Sequence, residues 1–257
     1  MTAPDNPFID DQGNPRRVRG VGVNSGSPAI ASLAAQVGFD VVWVEMEHAA
    51  THLERVDAVC LAAEFDGAVP LTRVPDGRRH HVLGALEAGA RIVVVPMTNT
   101  VEQARLIVEF GKYPPVGLRG FNSKTRNLGF GLTKPLEAQA RANRRCHLFA
   151  QIETLEAVEN VDAMCRIEGL AGIFMGPADL SVSMGMTGQV NDPKVITVVV
   201  DCLKRAKAAG KLSGIMVGPG PLLDATFEAG AELVVCAGDL MNLAAVWPKE
   251  LEAIPAL

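Results

Sequence analysis

The chain has 257 residues, of which 48% are hydrophobic and 21% are charged, which suits one large core in a single α/β domain. A formal net charge of −5 and a pI near 5.6 exclude a global basic field for nucleic acid, and no apolar run reaches the roughly 18 residues of a membrane span. The polar start of the chain is unlike a secretory signal, and the five cysteines contain no CxxC pair. We therefore expect a cytoplasmic protein with reduced cysteines and with neither nucleic acid nor membrane as a partner.

Eight short apolar segments predict buried parallel strands. Each is rich in Val, Ile, Leu or Phe, and most end near Gly or Pro. In chain order the predicted strands cover residues 18–24, 40–47, 69–74, 91–97, 147–154, 171–179, 212–218 and 232–238.

Segments with the apolar periodicity of helices lie between these strands. The first begins with Ser27 as a predicted N-cap and Pro28 at the first helical position, and the second has Thr51 and Glu54 at the spacing of a capping box. In chain order the predicted helices cover residues 27–38, 51–67, 79–90, 101–112, 155–167, 193–210, 221–231 and 239–254. Eight strand–helix units predict an α/β fold, a (β/α)8 TIM barrel in one domain over residues 1–257, with a doubly wound open sheet as the alternative.

Three segments depart from this regular alternation. Residues 1–17 form a polar N-terminal extension, and the segment from 98 to 146 is too long for one helix. The latter contains KYPPVGLRGFNSKTRNLGFG (112–131), which predicts a long, basic, functional loop over one face. Residues 239–257 predict a C-terminal helix that covers the barrel or docks on a neighbouring subunit.

Polar side chains concentrate at the predicted strand ends, which is where barrels of this type carry their chemistry. The second strand ends in Glu45, Glu47 and His48, the third carries Arg73, the fifth ends in Gln151 and Glu153, and the sixth ends in Asp179.

Glu153 and Asp179 close consecutive strands, and neighbouring strands lie about 4.8 Å apart. Two carboxylates without Cys or His suit a hard divalent cation such as Mg²⁺ or Mn²⁺. The alternatives are that Asp179 caps a turn and that Glu153 is a paired core carboxylate.

His48 is a candidate for proton transfer because it follows a strand end beside two carboxylates. Its spacing to His52 is that of a zinc-protease helix, but the glutamate that should follow the first histidine is missing. A structural histidine remains the alternative for His48, and a structural ion pair remains the alternative for Arg73.

Six motifs in order resemble the HpcH/HpaI aldolases, which are metal-dependent enzymes that use pyruvate and act on 2-keto-3-deoxy acids. The likeness runs from about residue 18 to 245. The motifs are GFDVVWVEMEHA (38–49), LTRV (71–74), EAGARIVVVPM (87–97), KYPPVGLRGFNS (112–123), QIETLEAVEN (151–160) and GIFMGPADLS (172–181).

The resemblance implies a (β/α)8 barrel, commonly hexameric, whose last helix is exchanged between neighbouring subunits. It also implies a divalent metal on Glu153 and Asp179, with Co²⁺ as a third candidate beside Mg²⁺ and Mn²⁺. Arg73 would hold the keto oxygen and the enolate, and His48 would transfer a proton near Glu47. The residues implied to seat pyruvate are Gln151, Gly176, Pro177, Ala178 and Asp179.

Two positions depart from the pattern of the resembled family. Many members have Asp where this chain has Glu45, an acid implied to orient the histidine. Many also have Asp where Glu87 stands, at a position implied to face the neighbouring subunit's site. Both changes keep the charge and lengthen the side chain, so they bear on the acid–base geometry and the choice of acceptor.

The sequence thus predicts a class II aldolase that forms a pyruvate enolate and reversibly makes or cleaves a 4-hydroxy-2-keto acid, with pyruvate and an aldehyde as partners. No nucleotide cofactor is expected, and no Schiff base, because none of the lysines lies at the C-terminal end of a predicted strand. An oxaloacetate decarboxylase or a related acyl-CoA lyase would use the same enolate. A non-catalytic, metal-stabilised binding module is the alternative of another class.

The sequence does not identify the acceptor aldehyde. The basic residues of the 112–131 loop are either solvated surface residues or the readers of an acidic aldehyde. They are Lys112, Arg119, Lys124 and Arg126.

Overall fold

A closed barrel of eight parallel strands is the centre of the protein, in a computed structural model that describes residues 3–254. Each strand pairs with the next along the chain, and β8 pairs with β1. This closure confirms the (β/α)8 barrel and excludes the open sheet. The strands are β1 (Val18–Val23), β2 (Val41–Glu45), β3 (Val69–Arg73), β4 (Ile92–Val95), β5 (His147–Ile152), β6 (Gly172–Met175), β7 (Leu212–Met216) and β8 (Leu233–Gly238).

Ten α-helices and one 3₁₀ helix (Arg126–Gly131) surround the barrel within residues 3–254, and none of them is long and apolar enough to cross a membrane. The helices are α1 (Pro28–Val37), α2 (Leu53–Phe65), α3 (Arg79–Glu87), α4 (Val101–Gly111), α5 (Pro135–Arg145), α6 (Leu155–Cys165), α7 (Pro177–Ser183), α8 (Pro193–Ala208), α9 (Pro221–Ala229) and α10 (Asp239–Glu252). The eight predicted helices are all present. The sequence analysis did not predict α5 and α7.

The two predicted helix starts have different outcomes. The Oγ of Ser27 accepts a hydrogen bond from the N–H of Ile30 at 3.4 Å, so the cap of α1 is confirmed. The capping box at Thr51 is wrong, because α2 begins at Leu53 and its N-cap residue, His52, makes no side-chain capping bond.

Large side chains fill the interior of the barrel. Trp43, Leu71, Phe149 and Phe174 are each at most 1% exposed and belong to one cluster. A second, larger cluster lies between the strands and the outer helices. The barrel is therefore a packed core, and a ligand can enter only at one of its ends.

The N-terminal extension covers the N-terminal end of the barrel. The ring of Phe8 is buried and packs edge-on against His147, the first residue of β5, at 5.2 Å between centroids. The guanidinium of Arg91 donates hydrogen bonds to the carbonyls of Pro4 and Asp5, each at 2.6 Å. These contacts leave the opposite, C-terminal end of the barrel as the open one.

The basic residues of the 112–131 loop are largely engaged within the chain. Lys112 Nζ donates to the carbonyls of Asn143 and Cys146, and Arg126 donates to the carbonyl of Ala88. Arg119 pairs with Glu87 at 2.7 Å, and its side chain is only 2% exposed. Carbonyls and a carboxylate of this chain therefore occupy part of the donors of Lys112, Arg119 and Arg126. Arg119 Nε and Arg126 Nε and Nη1 have no hydrogen-bond partner among the described residues, so recognition of an acidic aldehyde by this loop stays a prediction.

The C-terminal helix α10 carries apolar side chains that no other part of the described chain covers. Trp247, Leu251 and Val246 are 60%, 70% and 46% exposed. Its docking on a neighbouring subunit stays a prediction. Residues 1–2 and 255–257 of the two predicted terminal segments lie outside the described residues.

Candidate active site

A cavity of about 340 Å³ opens at the C-terminal end of the barrel, within the size range of small-molecule sites. Seven of the predicted site residues line it: His48, Arg73, Gln151, Gly176, Pro177, Ala178 and Asp179. The remaining three, Glu45, Glu47 and Glu153, are linked to this lining by the contacts described below. The barrel thus brings together side chains that are more than one hundred residues apart in the sequence.

Glu45 lies at the centre of the contacts around β2 and β3. Its buried carboxylate accepts hydrogen bonds from Arg73 Nε at 2.8 Å and from Trp43 Nε1 at 3.1 Å through Oε2. Its Oε1 accepts the backbone N–H groups of Glu47 and His48 at 2.6 and 3.1 Å. Glu45 therefore fixes both the guanidinium and the start of the loop after β2. Its contact with His48 is to the backbone, not to the imidazole.

The imidazole of His48 lies beside a different acid. Its Nε2 is 3.7 Å from Oε2 of Glu47, and the His48 side chain is 64% exposed. The same Glu47 oxygen lies 3.1 Å from Arg73 Nη1 but makes no hydrogen bond. Burial raises the pKa of Glu47, and the charges of Arg73 and His48 partly oppose this rise.

Glu153 follows β5 directly and is only 2% exposed. Its Oε1 accepts the backbone N–H of Met97 at 2.6 Å, and its Oε2 accepts the amide of Gln151. Burial raises the pKa of Glu153; these two hydrogen bonds oppose the rise, whereas the negative charges of Asp179 and Glu47 add to it. Asp179 and Glu47 are thus close enough to Glu153 to act on its pKa, although residues 3–254 contain no cluster of three or more His, Cys, Asp or Glu side chains in metal-binding positions.

Asp179 does not lie where the sequence analysis placed it. The predicted sixth strand ran to residue 179, but β6 ends at Met175 and Asp179 belongs to the first turn of α7. The prediction was wrong because a short helix, with Pro177 at its first position, follows the strand after a single residue. Asp179 still lines the cavity.

Gly176 allows this short connection to pass close to the buried carboxylate. A Cβ atom built on Gly176 would lie 2.5 Å from Glu153 Oε2 and 2.9 Å from Gln151 Nε2. No side chain fits there without displacing the carboxylate, so this position requires glycine.

Two contributors were not predicted. Trp43 looks like an ordinary core residue in an apolar strand, although its position two residues before Glu45 puts both side chains on one face. Met97 contributes its backbone N–H, and a backbone contact of this kind cannot be predicted from the residue type. Its φ of 49° is in the left-handed region, where non-glycine residues are uncommon.

The chain matches known proteins over nearly its whole length. The sequence profile of the family described as HpcH/HpaI aldolase/citrate lyase matches residues 20–244. A hydroxypyruvate/pyruvate aldolase of Roseobacter denitrificans is 31% identical over 95% of this chain and 94% of that protein. A 2-keto-3-deoxy-L-rhamnonate aldolase of Klebsiella pneumoniae is 33% identical over 86% of this chain and 83% of that protein.

Solved structures agree with these sequence matches. The HpcH/HpaI aldolase of Desulfitobacterium hafniense superimposes with a TM-score of 0.86 at 28% identity, covering 94% of each chain. A family protein of Burkholderia cenocepacia gives a TM-score of 0.85 at 29% identity, covering 93% of this chain and 94% of that one. The chain therefore belongs to the HpcH/HpaI aldolase/citrate lyase family, and it is a carbon–carbon lyase.

Proposed function

We propose that the protein is a divalent-metal-dependent pyruvate aldolase that reversibly joins pyruvate to an aldehyde and so forms a 4-hydroxy-2-keto acid. The observation that supports the proposal is a cavity lined by Arg73, His48, Gln151 and Asp179, next to which the buried carboxylate of Glu153 accepts a hydrogen bond from Gln151. Negative and positive groups thus lie at one small-molecule site at the C-terminal end of the barrel.

The donor set fits a hard divalent cation. The buried Glu153 carboxylate is destabilised in its charged form, and nearby carboxylates add to this effect, which a cation would reverse. The Oε1 atom of Gln151 is buried and has no hydrogen-bond partner. Glu153 and Asp179 would hold Mg²⁺, Mn²⁺ or Co²⁺, because carboxylate oxygens are the ligands that hard cations prefer. When bound, such a cation acts as a Lewis acid on the keto group of pyruvate and acidifies the methyl protons.

Arg73 supplies positive charge where the enolate oxygen develops negative charge. A guanidinium has up to five N–H donors, and the contacts with Glu45 and Glu47 occupy only part of them. The other donors are available to the substrate. Because Glu45 fixes the guanidinium before substrate binds, this stabilisation requires little reorganisation.

His48 receives the proton that leaves C3 of pyruvate. The electron pair of the broken C–H bond forms the new C–C bond to the aldehyde carbon, and the aldehyde oxygen ends with a proton. The backbone N–H of His48, which donates to Glu45, holds the start of this loop in place, and the imidazole lies 3.7 Å from a Glu47 oxygen.

The substrate's carboxylate end would lie near the α7 connection. Gly176, Pro177 and Ala178 line the cavity here, and Gln151 lies on the strand beside them. The N–H of Gly176 already donates to the carbonyl of Ile152 and Pro177 has no N–H, so only the N–H groups of Ala178 and Asp179 could receive an anion there.

Hydrogen exchange of pyruvate in D₂O tests the proposal without knowledge of the aldehyde. We expect the methyl NMR signal to disappear in the presence of Mg²⁺ or Mn²⁺, and EDTA to stop this loss. Glu153→Gln should abolish exchange and weaken metal binding. The matched control is Glu156→Gln, which changes an exposed acid in the first turn of α6 and should have no effect. If Glu153→Gln binds the metal as tightly as the wild type, Glu153 is not a metal ligand.

A further inference from the structure

The cavity at the C-terminal end of the barrel has two chemically different sides. The polar side consists of side chains at or just after the C-terminal ends of β2, β3, β5 and β6, and the proposed pyruvate chemistry uses it. The other side is formed by β7, β8 and the start of α10. The side chains of this apolar wall are Met216, Val217, Val235, Cys236 and Met241.

The apolar wall offers a ligand almost no hydrogen-bonding partner. Its members carry only methyl groups, thioethers and one thiol, which are weak donors and acceptors at most. Asp239, the acid at the start of α10, accepts hydrogen bonds from the N–H groups of Asn24 and Ser25 at 2.9 and 3.1 Å and from the Ser25 hydroxyl at 2.5 Å. Its carboxylate is therefore already satisfied, and it does not line the cavity.

The cavity is also larger than pyruvate needs. Its volume of about 340 Å³ corresponds to roughly eleven water molecules at about 30 Å³ each. With pyruvate between Arg73, Gln151 and Asp179, the apolar wall is the part of the lining that the proposed pyruvate chemistry leaves unused. The aldehyde must lie along it, because the new bond forms at the pyruvate methyl carbon.

A hydroxylated aldehyde in this space would lose hydrogen bonds to water without replacement, which is costly. An aliphatic or aromatic chain would instead gain roughly 25 cal/mol for each Å² of apolar surface removed from water. The cost of burying hydroxyl groups and the gain from burying apolar surface both favour an apolar acceptor.

We infer that the acceptor is an aldehyde with an apolar aliphatic or aromatic tail, which packs on Met216, Val217, Val235, Cys236 and Met241. This inference rests on the proposed function and names the substrate class of the same site. In the reaction, C3 of pyruvate loses a proton and bonds to the aldehyde carbon, the C=O π pair moves to the aldehyde oxygen, and that oxygen gains the proton. No oxidant or reductant is involved.

Rates of aldol addition with a series of acceptors test the inference. We expect kcat/KM to rise roughly threefold or more for each methylene from ethanal to butanal to hexanal, as burial of about 0.8 kcal/mol per CH₂ predicts. Glycolaldehyde, glyceraldehyde and succinic semialdehyde should each react more slowly than butanal. A higher kcat/KM for any of these three would overturn the inference.

A polar substitution in the wall should reverse the preference. Met241 is 55% exposed at the rim, so Met241→Gln should fold, and it should lower the ratio of the hexanal to the glycolaldehyde kcat/KM at least threefold. Leu251→Gln makes a similar change on the same helix, away from the cavity, and should leave this ratio unchanged. Val235→Thr adds a hydroxyl to a buried side chain of β8 and should lower the same ratio.

Equilibrium binding gives a readout that does not depend on turnover. The chain has two tryptophans: Trp43 lines the cavity, and Trp247 is exposed on α10. In a Trp247→Phe background, the fluorescence of Trp43 should report tighter binding of 2-oxooctanoate than of pyruvate. Equal affinities would contradict the apolar wall as a binding surface.

Exchange of the pyruvate methyl protons separates failure of the inference from failure of the proposed function. Exchange together with faster addition to hydroxylated acceptors refutes only the acceptor class. If exchange is absent with every metal and stays absent when butanal or glycolaldehyde is added, the proposed function fails, and this inference fails with it.

Discussion

Glu45 and Arg73 are direct neighbours in the register of β2 and β3. One oxygen of Glu45 accepts a hydrogen bond from Arg73 Nε at 2.8 Å and lies 2.7 Å from Arg73 Nη2. The Trp43 indole donates to the same oxygen, and the guanidinium lies 5.4 Å from the centre of the Trp43 ring. The other oxygen holds the loop that carries His48. One buried carboxylate thus couples the position of the proposed enolate-stabilising cation to the position of the proposed base.

Shortening this carboxylate should uncouple the two groups. Glu45→Asp keeps the charge but cannot reach Trp43, Arg73 and the loop N–H groups together, so we expect kcat to fall about tenfold with KM changed much less. Steady-state kinetics of pyruvate addition give the answer. Glu54→Asp, at an exposed position of α2, is the matched control. An unchanged kcat in Glu45→Asp would mean that this carboxylate does not position the catalytic groups.

Replacing Arg73 with lysine should lower turnover without affecting metal binding. Lysine keeps the positive charge but lacks the planar, forked donors that contact Glu45 and leave N–H groups for the substrate. We expect kcat to fall by roughly 10²–10³, as for loss of an oxyanion-stabilising donor. Calorimetry should give the same Mn²⁺ affinity within about threefold. Arg78→Lys, at an exposed position of the β3–α3 loop, should behave like the wild type.

Adding one methyl group at Gly176 should disturb the metal site. The new Cβ would lie 2.5 Å from Glu153 Oε2, 2.8 Å from Glu153 Cβ and 2.9 Å from Gln151 Nε2, so the Glu153 and Gln151 side chains must shift. We expect Gly176→Ala to weaken Mn²⁺ binding at least tenfold, measured by calorimetry. Gly218→Ala adds the same methyl group where no atom lies within 4 Å, so its metal affinity should be that of the wild type. Equal affinities in the two variants would argue against Glu153 as a ligand.

His147 should make the protein sensitive to mild acid. Burial, together with the charges of Lys112 and Arg91, lowers the pKa of His147 from its ordinary 6.5 to about 3. Between these values the unfolded chain binds more protons than the folded one, so the free energy of unfolding falls as pH falls from 6.5 toward 3. The loss is at most about 1.4 kcal/mol per pH unit.

Denaturant unfolding at pH 7 and pH 5.5 measures this effect. We expect His147→Gln to lose less stability on acidification than the wild type, whatever its stability at pH 7. The same change at His80, an exposed residue of α3, should leave the pH dependence unaltered. If the free energy of unfolding of His147→Gln falls with pH as steeply as that of the wild type, other groups cause the acid sensitivity.

The sequence by itself determined the succession of eight strand–helix units and most residues of the candidate site. The chain alternates between Val-rich segments that end near Gly or Pro and segments with the apolar periodicity of helices. This alternation predicts eight strand–helix units, because a strand buried on both faces must be continuously apolar. The polar residues at the ends of those segments then identify Arg73, Gln151 and Glu153. Their roles stay predictions, but their common location follows from the strand pattern alone.

The tertiary structure decided which groups contact which. Closure of the sheet, the register of Glu45 against Arg73 and the backbone contact from Met97 to Glu153 are long-range relationships that no local pattern encodes. The strand prediction up to residue 179 failed because a seven-residue helix is too short for periodicity to reveal. The apolar wall opposite the carboxylates exists only because the closed barrel brings β7 and β8 to the same cavity as β2 and β3.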